Sequence, residues 1–103
     1  MKKARQMPLW PTARLAGEEV FDGRAALAYR VRALRTERHL SQAALAERAG
    51  MHRTYLSSIE RGRRNVPLDT VCRLAWALGV DVRDLLTAGP EESERRAAPR
   101  APR

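Results

Sequence analysis

The stretch LSQAALAERAGMHRTYLSSIERGRRN, at residues 40–65, carries the strongest signals of helix starts and ends in this chain. Ser41 can begin a helix as its N-cap, because its hydroxyl can accept a hydrogen bond from an amide in the first helical turn. Leu40 and Leu45 flank this cap at the spacing of a hydrophobic staple. Gly50 suits the left-handed backbone with which many helices end. The pattern therefore predicts a short helix that ends at Gly50, then a turn and a second helix.

Apolar side chains at helical spacing continue on both sides of this stretch. Leu27, Val31 and Leu34 lie on one face of a preceding helix, and Val71 and Leu74 lie on one face of a later helix. No stretch shows the alternation that is typical of strands. The periodicity predicts five helices, at about residues 24–38, 41–50, 53–61 and 68–78 and in a short segment that Asp81 can cap.

The composition provides room for one small domain and is compatible with an anionic partner. The 103 residues carry a net charge of +8, and a single cysteine cannot stabilise the fold by a disulfide. No apolar stretch reaches the roughly 18 residues of a membrane-spanning helix, so we expect a cytoplasmic protein.

The predicted fold class is all-α: a compact five-helix domain at 24–88, between an N-terminal arm at 1–23 and a disordered tail at 89–103.

Several short motifs follow one another in a characteristic order. They are Leu34-Arg35, Leu40-Ser41-Gln42, Leu45-Ala46, Ala49-Gly50, Ile59-Glu60-Arg61-Gly62 and Leu74-Ala75-Trp76-Ala77-Leu78-Gly79-Val80. On these residues the chain resembles the Cro/Xre-type helix-turn-helix family, the lambda-repressor-like domains. The resemblance implies a dimeric transcription regulator that binds a double-stranded DNA operator and reads the major groove with its third helix.

The outer face of the third helix is polar and free of acidic residues, which suits a helix that enters the major groove. On a helical wheel this face collects Arg53, Thr54, Ser57, Ser58 and Arg61. Arg53 has the donors to bond the O6 and N7 atoms of a guanine. The resemblance implies that the base-reading positions are His52, Arg53, Thr54, Ser57 and Ser58.

A second group of residues is predicted to bind DNA phosphates. Gln42 opens the second helix and matches the position that contacts the phosphate backbone in the family. A basic loop follows the third helix, and its charges can neutralise phosphates without reading sequence. The predicted phosphate-binding residues are Gln42, Tyr55, Arg61, Arg63, Arg64 and Asn65.

The resemblance also implies one structural ion pair. Arg35 and Glu60 lie at the margins of the apolar faces of the first and third helices. The family pairs residues at these positions as a partly buried ion pair, so neither is expected to contact DNA or to act as a catalyst. Removal of one partner would leave a poorly solvated charge.

The fourth helix carries a second apolar stripe beside its core face. Leu68, Cys72 and Trp76 form this stripe, and Trp76 lies about 140° from the centre of the core face. Trp76 is therefore buried against a second subunit, covered by the N-terminal arm, or exposed. We predict a homodimer whose interface contains Leu68, Cys72, Trp76, Val82 and Leu85.

No other residues form a recognisable chemical site. His39, His52 and Cys72 lack the paired spacing of a zinc site, and no base is placed beside Cys72 to make it a nucleophile. We therefore expect no enzyme activity, metal, cofactor, small-molecule ligand or membrane partner. Three kinds of regulator remain open within the family: restriction–modification controllers, prophage regulators, and antitoxins that bind a toxin through a terminal segment. The segment from His52 to Asn65 most resembles the controllers. A protein–protein adaptor that keeps the fold without reading DNA is the alternative from another class.

Overall fold

The computed structural model describes residues 12–15 and 17–87. An antiparallel hairpin of β1 (Thr12–Leu15) and β2 (Glu18–Phe21) comes first, with Thr12 opposite Phe21 and Leu15 opposite Glu18. Four α-helices and a 3-10 helix follow: α1 (Gly23–Glu37), α2 (Gln42–Ala49), α3 (Arg53–Glu60), α4 (Leu68–Leu78) and the 3-10 helix Val82–Leu85.

Local capping determines where the helices begin and end. The Ser41 hydroxyl accepts from the Ala44 amide at 3.0 Å, which confirms the predicted N-cap of α2. Gly50 ends α2 and Gly79 ends α4, with φ values of 70° and 71° in the left-handed region. An L side chain would be strained at both positions, so these two glycines direct the chain out of its helices.

The core lies where α1 packs against α3 and where α2 packs against both α3 and α4. The predicted inward faces are confirmed, because Val31, Leu45, Leu56 and Leu74 are all fully buried. This packing fixes α3 in place and leaves its opposite side towards solvent.

The all-α helix-turn-helix fold class is confirmed, but the described residues form four α-helices and not the predicted five. The last predicted helix is a 3-10 helix, in which the Asp84 amide donates to the Asp81 carbonyl at 2.8 Å and the Leu86 amide donates to the Arg83 carbonyl at 3.1 Å. A run of four residues is typical of a 3-10 helix, which forms mostly in short pieces.

The segment assigned to the N-terminal arm contains a hairpin that the sequence pattern did not predict. Gly17, with a φ of 79°, lies between its two strands. The beginning of the arm, at 1–11, and the predicted disordered tail, at 89–103, lie outside the described residues. The hairpin therefore adds a short two-stranded element in front of a helical domain.

Candidate nucleic-acid interface

The outer face of α3 begins at its N-terminus. Arg53 and Thr54 are exposed and Ser57 is half-buried, while Leu56 faces the core. His52 is the N-cap of the helix, and its Nδ1 atom accepts from the Thr54 amide at 3.2 Å. Any contact that the His52 ring makes with DNA would therefore come from its Nε2 atom. The structure brings these four polar side chains together at one end of the helix.

Ser58 does not belong to this face, so its placement on the helical wheel was wrong. Only 8% of Ser58 is exposed. Its hydroxyl donates to the Tyr55 carbonyl at 2.7 Å and accepts from the Arg64 Nε–H at 3.0 Å. The chain after α3 folds back over this position, where the Arg63 amide donates to the Ser58 carbonyl at 3.2 Å. A wheel drawn for one helix does not include that loop.

The basic loop directly follows the outer face of α3. Arg61, Arg63, Arg64 and Asn65 are all exposed. Arg61 is the C-cap of α3, and its Nη1–H donates to Ser57 Oγ at 2.7 Å. The loop therefore places three guanidinium groups beside a helix face that carries no carboxylate, and this surface attracts anions.

Arg35 and Glu60 form a bidentate ion pair below this surface. Arg35 Nε lies 2.7 Å from Glu60 Oε2, and Arg35 Nη2 lies 3.1 Å from Glu60 Oε1. The Arg35 side chain is 16% exposed and the Glu60 side chain only 4%. Arg35 also donates to the Leu40 carbonyl at 2.8 Å, so the pair ties α1 to the end of α3 and to the chain before α2.

Gln42 joins this pair, a contact that sequence reasoning missed. Its Nε2 atom donates to Glu60 Oε1 at 3.0 Å. The amide nitrogen has two hydrogens, so one remains for a further acceptor. Gln42 is thus held at the first turn of α2, where helix amides face outward and can bind a phosphate. No feature of the local sequence pairs Gln42 with a residue of α3.

The apolar stripe of α4 is exposed at both ends, with Leu68 68% and Trp76 75% exposed and Cys72 between them. Two other predicted interface residues lie differently. Val82 is half-buried and packs against the core, and Leu85 is fully buried. The assignment of Leu85 to an interface was wrong, because the turn of the 3-10 helix points it into the core of its own chain.

A groove of about 610 Å³ lies beside this stripe, between the hairpin, the start of α1 and the start of α4. Phe21, Leu68 and Leu86 line it and are 39%, 68% and 42% exposed. Sequence reasoning missed Phe21, because it lies on a strand of the hairpin that the pattern did not predict. The groove therefore brings Leu68 together with Phe21 of the hairpin and with Leu86, which follows the 3-10 helix.

Within the described ranges, no three His, Cys, Asp or Glu side chains come together as a candidate metal site. In the same part of the chain, no helix is long and apolar enough to cross a membrane.

Comparison with known proteins agrees with this architecture. The Helix-turn-helix family HTH_3 matches residues 31–85, from the middle of α1 to the 3-10 helix. Control protein C.SmaI of Serratia marcescens is 52% identical over 61 residues, which are 59% of this chain and 73% of that protein.

Two solved structures are also similar. The restriction-modification controller protein C.AhdI from Aeromonas hydrophila superposes with a TM-score of 0.59 at 42% identity, over 60% of this chain and 94% of that one. The biofilm regulator SinR, solved in complex with DNA, superposes with a TM-score of 0.57 at 35% identity, over 59% of this chain and 98% of that one. The chain therefore belongs to the Helix-turn-helix family (HTH_3), which confirms the Cro/Xre-type resemblance of its motifs.

Proposed function

We propose that the chain is a sequence-specific DNA-binding transcription regulator that reads the major groove with α3. The observation that carries this proposal is the exposed, acid-free face of α3 beside the basic loop at 61–65. A protein–protein adaptor would favour acidic or bulky apolar side chains on that face. The likeness to SinR, which was solved in complex with DNA, supports the same use of the fold.

The start of α3 supplies the base-reading side chains. In helix-turn-helix proteins, the N-terminal residues of the recognition helix contact the base edges. Arg53 and Thr54 are the exposed residues at that end, and Ser57 follows one turn later on the same side. Arg53 can donate two hydrogen bonds to a guanine, and the short Thr54 and Ser57 side chains let the helix approach the groove closely.

Phosphate contacts come from two places on either side of α3. Gln42 offers its remaining amide hydrogen at the start of α2, and the loop offers exposed Arg61, Arg63 and Arg64 with Asn65. Such contacts set the position of the protein on the duplex and most of its salt-dependent affinity.

A homodimer would provide the second half-site that specificity needs, since one recognition helix contacts only a few base pairs. Leu68, Cys72 and Trp76 recur every four residues and so form one line along α4. The groove lined by Phe21 and Leu86 extends this surface beyond Leu68. Large exposed apolar patches mark interaction sites, and we assign this one to the second copy of the chain.

Within the family, we propose a cytoplasmic controller of a restriction–modification system. The named relatives C.SmaI and C.AhdI are control and controller proteins, and both match this chain at more than 40% identity. Such regulators are not enzymes, and the described residues offer this one no metal-ligand cluster.

The test is selection of bound duplexes from a random-sequence DNA pool, followed by gel shifts at rising salt. The selected duplex should stay bound at salt concentrations that release a scrambled duplex of equal length and composition. Arg53→Ala should bring the salt concentrations that release the two duplexes closer together. Equal binding of the two duplexes at every salt concentration would contradict sequence-specific function.

A further inference from the structure

Ser58, Tyr55 and Arg64 form one connected cluster at the end of α3. The Arg64 Nε–H donates to Ser58 Oγ at 3.0 Å, and the Ser58 hydroxyl donates to the Tyr55 carbonyl at 2.7 Å. The guanidinium carbon of Arg64 lies 5.4 Å from the centre of the Tyr55 ring. Ser58 is buried whereas Arg64 is exposed. An exposed arginine is therefore anchored at its inner end to a buried hydroxyl.

The direction of these bonds fixes the role of each group. A serine hydroxyl has one proton and two lone pairs. Since the Ser58 proton goes to the Tyr55 carbonyl, its oxygen must act as the acceptor for Arg64. The half-buried Tyr55 ring packs against the core and gives the guanidinium plane an aromatic surface. Hydroxyl and ring together restrict the rotamers that Arg64 can adopt.

The outer edge of the Arg64 guanidinium stays available. Its terminal nitrogens, Nη1 and Nη2, donate to none of the residues that the structure describes. Two parallel N–H groups on one edge match two oxygens of a single phosphate. A side chain that is already held in place loses less conformational freedom when it binds.

We propose that Ser58 is a positioning residue for DNA binding. Together with the Tyr55 ring, it holds the Arg64 guanidinium so that both terminal nitrogens can bind one backbone phosphate. This proposal rests on the DNA-binding function proposed above. It adds that Arg64 contacts a phosphate in one fixed, bidentate orientation. It also gives Ser58 a role in place of base reading, because its hydroxyl is buried and already uses its proton.

The test is a double-mutant cycle of Ser58→Ala and Arg64→Ala, with two DNA probes. One probe is a duplex that the unmodified chain has selected from a random pool, and the other is a scrambled duplex of the same composition. Alanine is the best helix former, so Ser58→Ala should keep the melting temperature. We expect Ser58→Ala to weaken binding to both duplexes about three- to tenfold. It should have no further effect in the Arg64→Ala background.

The salt dependence gives a readout that a purely structural role would not change. The slope of log K against log salt concentration is negative, and loss of one phosphate contact reduces its magnitude by about one. Arg64→Ala should show this change, and Ser58→Ala should show part of it. Equal losses from Ser58→Ala in both backgrounds, or a loss on the selected duplex alone, would overturn the positioning role.

A measurement without DNA separates this proposal from the function on which it rests. In a nitrogen-correlated NMR spectrum of the free chain, the Arg64 Nε–H should be protected from exchange, and Ser58→Ala should abolish that protection. An unchanged signal means that the bond to Ser58 does not form, and the proposal fails while DNA binding stands. Failure of the unmodified chain to select any duplex from the random pool would instead refute the DNA-binding function and the phosphate role together.

Discussion

Glu60 accepts two hydrogen bonds from Arg35 and a third from Gln42, so a single buried carboxylate connects α1, α2 and α3. The 2.7 Å and 3.1 Å bonds to Arg35 form the bidentate arrangement in which a buried ion pair can offset its desolvation. Because Gln42 opens α2 and Glu60 ends α3, the same carboxylate also links the two helices of the motif at these ends.

Breaking this ion pair should strongly destabilise the fold. Arg35→Ala leaves the 4% exposed Glu60 side chain without its cation, which should lower the free energy of unfolding by about 3–5 kcal/mol. The control is Glu37→Gln, since Glu37 lies 3.7 Å from Arg38 with its side chain 72% exposed and should cost at most about 1 kcal/mol. Urea denaturation measures both. Equal losses of unfolding free energy in the two variants would show that burial of Glu60 adds nothing to the cost of removing its partner.

Arg53 should determine base choice without setting overall affinity. Arg53→Ala removes the proposed bidentate contact to a guanine and should cost about 1–3 kcal/mol on the selected duplex. Binding to the scrambled duplex should weaken much less. Arg83→Ala is the control, because Arg83 is exposed but pairs with Asp81 outside the helix-turn-helix. Competition gel shifts measure the ratio of the two affinities. A uniform loss on both duplexes would reassign Arg53 to the phosphate-binding set.

Trp76→Glu should produce a folded monomer. The indole is 75% exposed in the single chain, so a carboxylate there is solvated in the monomer but disrupts an apolar interface. Thr36→Glu is the control, because it adds the same charge at an exposed position of α1. Sedimentation velocity and operator binding should both change for Trp76→Glu alone. A dimer of unchanged affinity would remove Trp76 from the interface.

The cap of the 3-10 helix should contribute stability that depends on pH. Hydrogen bonds from the Arg83 side chain and backbone hold the pKa of Asp81 below its ordinary value of 3.8. A lowered pKa in the folded state means that the stabilisation is complete above the ordinary pKa and is lost as the pH falls through the lowered one.

Asp81→Asn should therefore melt below the unmodified chain at neutral pH, and the difference should shrink in acid. Asp84→Asn is the control on the same 3-10 helix, since the Asp84 carboxylate accepts no hydrogen bond from the described residues. Thermal melts over a series of pH values measure the difference. A gap that persists at the lowest pH would exclude the charge of Asp81 as its cause.

The helices and their ends could be predicted because they depend on local interactions. Ser41 caps α2 through an amide three residues away, and Gly50 ends it through its own backbone conformation. The apolar periodicity of Val31 and Leu74 likewise needs only helical geometry to define a buried face. These local rules also identified the exposed side of α3 at Arg53 and Thr54.

Other features depend on contacts between residues that are distant in sequence or connected by a loop. Ser58 is buried because the basic loop folds back and brings Arg64 onto its hydroxyl. Gln42 bonds to Glu60 because α2 and α3 pack together. Leu85 points into the core while Leu86 lines the groove, because α1 and α4 pack against one side of the 3-10 helix. Sequence periodicity describes one helix at a time, whereas burial and hydrogen bonding depend on what the rest of the chain places against it.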